Sequence, residues 1–280
     1  MRRVFLSSIA LIICALIFSA CQKEGQYVPK KKIRQILDTN ETSMEGVSTT
    51  TAQMQVWKWG GDVLSYIEYF DHDGNVITTM VFGYDKDNRV EEITSSSSNE
   101  FFKYTYSGKY LEKVEYSRDE KLICTYTFVR KDKNIIEVNC TTASKSDVAM
   151  VANPFVLFMP ENVAIALTKA PTTKGTSTIK LTWDGKNVVE ATMNTGAQVQ
   201  SFKWKYDNKI NPLLGFLRFG SSTYSDMFSQ NNVVEETESF DNNTKTTTYT
   251  YEYDGKYPVK RTHTESQGEL TRTVTRTITY

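Results

Sequence analysis

One unit recurs along this chain and constrains its fold more than any other feature. Alternating aromatic residues lead into a short polar turn, and a second apolar alternation follows. The clearest copy is Phe82–Ile93, FGYDKDNRVEEI, in which Phe82 and Tyr84 precede the turn Asp85–Asn88 and Val90 opens the return. Variants stand at Tyr69–Ile77 (YFDHDGNVI), Leu181–Val189 (LTWDGKNVV), Phe202–Ile210 (FKWKYDNKI) and Tyr249–Val259 (YTYEYDGKYPV). Residues two apart share one face of a strand. The Asn, Asp and Gly of the turns accept the positive φ that tight hairpins demand. Each copy is therefore predicted to be a strand, a turn and an antiparallel returning strand.

From Thr51 to Thr142 such runs follow one another. Trp57 and Trp59 share a face before Gly60-Gly61, and Phe102, Tyr104 and Tyr106 alternate with Lys103 and Thr105. Turns recurring roughly every 8–12 residues between aromatic and β-branched strands mark an all-β antiparallel fold. Strands are expected again at 177–193, 199–206, 233–240, 245–253, 257–264 and 270–280. The predicted fold is a single long antiparallel β-meander, strongly twisted and curled into an open or closed barrel-like form.

Two irregular apolar stretches interrupt it, at about 143–175 and 211–230. The first holds Val148–Leu167, cut by Pro154 and Pro160, and the second begins NPLLGFLRFG. Neither reaches the roughly 18 apolar residues that a spanning helix needs. Such stretches either plug the sheet and complete its core, or rim a cleft or offer a patch to a partner protein.

The first twenty residues are a separate object. Arg2 and Arg3 form a basic start, Ile9–Phe18 an apolar run, and Ser19-Ala20 the small residues before a cleavage site. Residues 1–20 are read as a signal peptide. Phe18-Ser19-Ala20-Cys21 resembles the lipobox of bacterial lipoproteins, which implies lipidation of Cys21. Residues 21–50, with the run Lys30-Lys31-Lys32, read as a lipidated polar tether containing a short helical turn around Ile33–Leu37. The β domain then occupies 51–280. Gln22-Lys23-Glu24 is similar to the short export signal of surface lipoproteins in the Bacteroides group. The expected address is the outer membrane, by a lipid anchor, with cell-surface display; the periplasmic face is the alternative. Of the remaining cysteines, Cys124 and Cys140 fall on neighbouring predicted strands, either as a cross-strand disulfide or as two buried thiols.

Tyr84–Val90 resembles the Tyr-Asp repeat of bacterial surface shells. The lipoprotein start, the aromatic hairpins and Tyr206–Pro212 leading into an apolar loop resemble more closely a Bacteroides-group lipoprotein family of unknown function with a porin-like β fold. That resemblance implies a fold and no activity. Against an actual pore, many strands are only 7–9 residues long and Tyr249, Tyr251 and Tyr253 run along one strand, whereas membrane barrels confine aromatics to girdles.

Lys and Arg together number 33, as do Asp and Glu. No net field draws in nucleic acid, so no nucleic-acid partner is expected. The search for chemistry returns no catalytic set, no metal site and no cofactor motif. His72 and His263 read as surface residues, and Asp71–Asn75 reads as a turn rather than a calcium loop. Aromatics are the abundant resource, and they fill sheet cores well. The candidate ligand-binding residues are Trp57 and Trp59, with Phe155 and Phe158 of the first irregular stretch and Phe216 and Phe219 of the second. The expected function is a non-catalytic binding or interaction module for a glycan or a protein. The alternative is a structural envelope component without a small-molecule ligand.

Overall fold

The computed structural model describes residues 23–97, 99–142, 176–194, 199–216, 224–240, 243–267 and 269–280. The strands are β1 (Gln35–Met44), β2 (Val47–Gly60), β3 (Val63–Phe70), β4 (Val76–Tyr84), β5 (Val90–Ser95) and β6 (Glu100–Ser107). They continue with β7 (Tyr110–Arg118), β8 (Lys121–Lys131), β9 (Asn134–Thr142), β10 (Thr176–Asp184), β11 (Asn187–Asn194) and β12 (Val199–Tyr206). A one-turn helix, α1 (Tyr224–Phe228), precedes β13 (Val233–Phe240), β14 (Asn243–Thr248), β15 (Thr250–Asp254), β16 (Tyr257–Gln267) and β17 (Leu270–Thr279).

All 17 strands belong to one antiparallel sheet in which strands adjacent in sequence pair, except that β14 and β15 follow one another across Tyr249 without pairing. The wall closes because β1 lies between the first and last strands of the meander, pairing Ile36 with Gln55 of β2 and with Ile278 of β17. The barrel is nearly closed. β14 pairs with β13 and β15 with β16, and the upper part of β16 faces β14 across a seam bridged by Lys245 and Glu265 at 2.9 Å.

The strand β1 corrects the predicted tether. Residues 35–44 are a wall strand rather than a linker with a helical turn, and Tyr27 and Ile33 ahead of them are core residues. The polar sequence of β1 hid it. Its inward positions after Ile36 are Asp38 and Asn40, which meet Arg276 and Arg272 of β17, so no apolar alternation marks the strand.

Elsewhere the alternation is regular. Ile67, Val114 and Val138 are fully buried and point inward. The outer wall carries cross-strand charge pairs and threonine ladders: Lys205 meets Glu235 at 2.8 Å and Lys260 meets Glu252 at 2.9 Å, while Thr264 and Thr273 share a hydrogen bond. A membrane barrel shows lipid an apolar band and loses about 2–4 kcal/mol for each Lys or Arg at the bilayer midplane. This outer wall has the chemistry of a surface that faces water.

The two ends of the barrel differ. At the lower end the register shifts beside the aromatic that ends several descending strands, between Lys58 and Trp59, Gly83 and Tyr84, Thr105 and Tyr106, Thr182 and Trp183, and Lys205 and Tyr206. Such bulges re-aim a side chain. Here they turn each aromatic so that its polar tip reaches a carbonyl on the neighbouring ascending segment. Tyr84 donates to Leu64, Tyr106 to Val90, Tyr206 to Val188, Trp59 to Ile33 and Trp183 to Ile135. Tyr251 and Tyr280 repeat the bond toward Val233 and Pro258. The recurring sequence unit is thus a ring of hydrogen-bonded locks around one rim, each aromatic burying its ring while satisfying its polar atom.

Two segments close that rim. Residues 23–34 cross it with Glu24 N–H bonded to Lys109 and Val90 N–H bonded to Gly25. Residues 207–216 and 224–232 cover it too, with Ile210 N–H bonded to Lys256 and Gln230 N–H to Lys186. The Tyr27 hydroxyl donates to Pro212 O at 2.7 Å and joins the two. Gly25 has to be glycine: its φ is +84° and a Cβ would lie 2.0 Å from the Tyr106 hydroxyl. Beneath the closure Tyr27, Trp57, Phe82 and Phe216 form an aromatic cluster. Of the two roles open to the second apolar stretch, its described residues take the plug, with Phe216 and Met227 buried. The first stretch, 143–175, lies outside the described residues.

Candidate functional site

At the upper end the turns between β1 and β2, β3 and β4, and β7 and β8 stand free of any described covering segment. Below this rim the inner wall is not uniform. From β2 to β11 its inward residues are mainly apolar. Along β12–β17 and β1 they are charged, hydroxylated or aromatic: Gln200 and Trp204 of β12, Glu236 and Glu238 of β13, Tyr249 and Tyr251, Arg261 and His263 of β16, Arg276, and Asp38. A strand puts every second side chain on one face, so these sequences build the arc simply by alternation. In TRTVTRTITY the threonines face out and Arg272, Val274, Arg276 and Ile278 face in.

The arc is tightly paired. Asp38 receives both Nε and a terminal nitrogen of Arg276 at 2.7 and 2.8 Å. Burial opposes ionisation of Asp38, but the Arg276 charge and its hydrogen bond outweigh it and hold the carboxyl below its usual range. Glu236 accepts the Trp204 indole N–H at 2.6 Å, and Glu238 accepts the Gln200 amide. Burial pushes both carboxyls up, against those hydrogen bonds. Arg261 lies 5.1 Å from the centre of the Tyr249 ring. Burial works against its charge, yet Tyr251, Asp226, Tyr249 and Asp38 together raise its pKa. His263 sits edge-on to Tyr249, with centroids 5.1 Å apart, and its Nε2 lies 3.7 Å from Glu265.

His263 corrects the expected surface histidine. Its side chain is 13% exposed and faces the interior, because Thr262 and Thr264 take the outward positions of β16. His72 does lie on the surface, and Asp71 beside it accepts the backbone N–H groups of Asp73 and Asn75. The turn reading therefore accounts for that acidic cluster.

Exposure in the arc rises toward the upper rim, from the Asp38–Arg276 pair at 15% and 23% to the Lys245 side chain at 43%. Gln200, almost fully buried, keeps its Oε1 without a hydrogen-bond partner among the described residues, as does Nδ1 of His263. On the opposite side of the rim a groove of about 680 Å³ runs between two hairpins, lined by Thr94, Asn99, Phe101, Ser117 and Asp119 among others. Among the described residues no cluster of His, Cys, Asp and Glu is arranged to hold a metal ion.

The structure sorts the candidate residues read from sequence. Trp57 is 3% exposed and Phe216 is 5% exposed. They are brought together, 4.9 Å between ring centres, as core under the closed rim. A free stacking platform on Trp57 is thereby corrected: segment 23–34 and the loop carrying Phe216 cover it. Trp59 is half-buried, spends its indole N–H on Ile33 and lies under Lys32. Cys21, Phe155, Phe158 and Phe219 lie outside the described residues. Cys124 and Cys140 are buried free thiols on β8 and β9; their mutual hydrogen bond, with burial, pushes the Cys124 thiol up. Sequence reading passed over the polar arc because its members are spread over several strands, and only barrel closure assembles them.

No protein-family model matches the chain, and no curated protein matches its sequence. Among solved structures, a porin-like protein from Bacteroides uniformis aligns over 91% of this chain and 100% of its own, with a TM-score of 0.51 at 13% identity. The chain has a porin-like β-barrel fold. A porin-like protein from Bacteroides vulgatus aligns over 89% of this chain and 98% of its own, with a TM-score of 0.46 at 10% identity. At such identities the likeness concerns the fold, and function has to come from this chain's own residues.

Proposed function

We propose that this protein is a lipid-anchored component of the outer membrane, displayed at the cell surface, that acts as a non-catalytic binding module for a polar ligand, a glycan in the first instance. The observation that carries this reading is the polar arc inside an otherwise apolar barrel. Placing charged pairs in a core is costly, and a well-packed apolar wall of similar volume is often equally or more stable. A wall of paired carboxylates and guanidiniums interleaved with Tyr249, Tyr251 and Trp204 suits a hydroxyl-rich ligand. Such a ligand offers donors and acceptors together with apolar faces for aromatic rings. The lipobox-like run ending at Cys21 supports the anchor, and the water-facing outer wall fits a domain held beside a membrane rather than within it.

Calorimetric titration of neutral oligosaccharides into the purified protein tests the binding reading. Binding that is lost in Tyr251→Ala and Arg261→Ala, with folding retained, would support it. If no glycan binds and a stable protein partner is recovered from detergent extracts instead, the module recognises protein. If neither binds, the structural envelope role takes its place. Protease shaving of intact cells, with a periplasmic control protein, separates surface display from the periplasmic face.

A further inference from the structure

We infer that the closed lower end of the barrel is a docking surface for an anionic lipid bilayer, so that the open upper end points away from the membrane. The charge of the two ends carries this. At the lower rim Lys23, Lys31, Lys32 and Arg89 are matched by Asp87, Asp254, Asp62 and Asp85. The turn tips leave an excess beyond these pairs. Lys30, Lys86, Lys109, Lys133, Lys186 and Lys256 are exposed there and make no ion pair among the described residues. Exposed Asp132 and Asp184 only partly offset them. The described turns of the upper rim have the opposite character: Glu45, Asp73, Asp119, Glu120 and Glu269 are exposed, with Lys121 against them. Among the described residues, charge is therefore polarised along the barrel axis.

The position of the first described residues points the same way. Lys23 and Glu24 are fixed on the lower rim, Lys23 to Asp87 at 2.9 Å and Glu24 N–H to Lys109 at 3.0 Å. Cys21 is two residues earlier, and two residues span at most about 7 Å. A lipid on Cys21 would thus be attached no more than about 7 Å of chain from Lys23 on the basic rim. This part rests on the proposed lipidation; the charge complementarity to headgroup phosphates does not. Basic residues close to an anionic surface each strengthen attachment about fivefold, and the effect decays over a Debye length.

The protein made without lipid, with Cys21→Ser, is the one to test. Its sedimentation with phosphatidylcholine vesicles, with and without phosphatidylglycerol, measures the electrostatic part alone. Binding is expected only with phosphatidylglycerol, weakening as salt is raised. The triple variant Lys133→Glu, Lys186→Glu and Lys256→Glu should bind at least about 100-fold more weakly, while Glu45→Lys with Glu120→Lys on the upper rim should not weaken it. Equal binding to both vesicle types, or wild-type binding by the triple variant with an unchanged melting profile, would overturn the inference. Mass spectrometry of the native N-terminus reports lipidation separately, so failure of the anchor and failure of the basic surface are distinguishable. In the native protein on nanodiscs, a fluorophore at Lys256→Cys should be quenched by spin-labelled lipid and one at Lys121→Cys should not; the reverse pattern would overturn the orientation.

Discussion

The apolar arc from β2 to β11 and the polar arc from β12 through β17 to β1 are made from the same hairpin unit, yet their inner faces follow opposite rules. The first arc fills its face with Leu64, Ile67, Val114, Val138 and Ile179, each at most 2% exposed. It gains on the order of 25 cal/mol for each Å² of apolar surface removed from water. The second holds Asp38, Arg276, Arg261 and Glu236 on the equivalent positions and has to compensate their desolvation by pairing. The locks at the lower rim occur on both arcs, at Tyr84 and Tyr106 on one and at Tyr206 and Tyr251 on the other. The scaffold is therefore common and the inner chemistry is not, which is what a binding wall set into a structural barrel requires.

The comparison can be broken most forcefully at the edge of the apolar arc. Trp57→Ala removes a buried ring from the cluster with Tyr27 and Phe216 and should cost about 3–5 kcal/mol in urea denaturation. Unchanged stability with lost ligand affinity would instead make Trp57 part of a binding face. On the polar arc, Asp38→Ala leaves Arg276 half-buried without its carboxylate and should cost about 3 kcal/mol. The paired change Asp38→Leu with Arg276→Met should restore most of that loss. If the double variant is as unstable as the single, the ion pair is kept for stability and the case for a ligand-facing arc weakens.

The locks should give nearly equal, smaller effects on both arcs. Tyr84→Phe and Tyr206→Phe each keep the ring and lose one hydrogen bond to a backbone carbonyl, a loss of about 1 kcal/mol by the same denaturation measurement. A large difference between them would show that the ring is not a uniform scaffold.

The smallest effects concern pH and separate two carboxyls of the polar arc by sign. The neighbouring His263, against burial and aided by Lys245, lowers the Glu265 carboxyl from 4.5 to about 2. Its stabilising contribution is present above pH 4.5 and is lost as pH falls toward 2. Partial exposure limits it to less than about 1 kcal/mol. Glu236 runs the other way: burial raises its pKa above 4.5, so ionisation costs stability as pH rises past that value. Acid titration of stability should therefore show a shallower low-pH fall in Glu265→Gln, the lowered carboxyls of Asp38 and Asp85 supplying the rest, and Glu236→Gln should be stabilised toward neutral pH. Identical profiles for the two variants would contradict the opposite environments of these side chains.

Much of the scaffold was legible in the sequence. Turn chemistry is local, so Asp85–Asn88 or Asp254-Gly255 announces a hairpin whatever surrounds it; Asn88 and Gly255 take the positive φ expected of them. Strand alternation is local too, and the strands predicted at 199–206, 233–240 and 257–264 overlap β12, β13 and β16 closely. What stayed hidden depended on which face is inside. The strand β1 read as a tether because its inward Asp38 and Asn40 look solvent-facing until Arg276 and Arg272 are set against them. His263 read as a surface residue for the same reason.

The sequence by itself determined an all-β antiparallel meander, the positions of its turns and the aromatic residues that end its descending strands, because each follows from interactions between residues a few positions apart. Only the tertiary structure decided that β1 joins β17 and closes the wall, that segments 23–34, 207–216 and 224–232 cover one end, and that polar residues from distant strands share one inner arc. Those outcomes depend on pairings between residues as far apart as Asp38 and Arg276. They become favourable only when closure buries both partners together, and no local pattern records that.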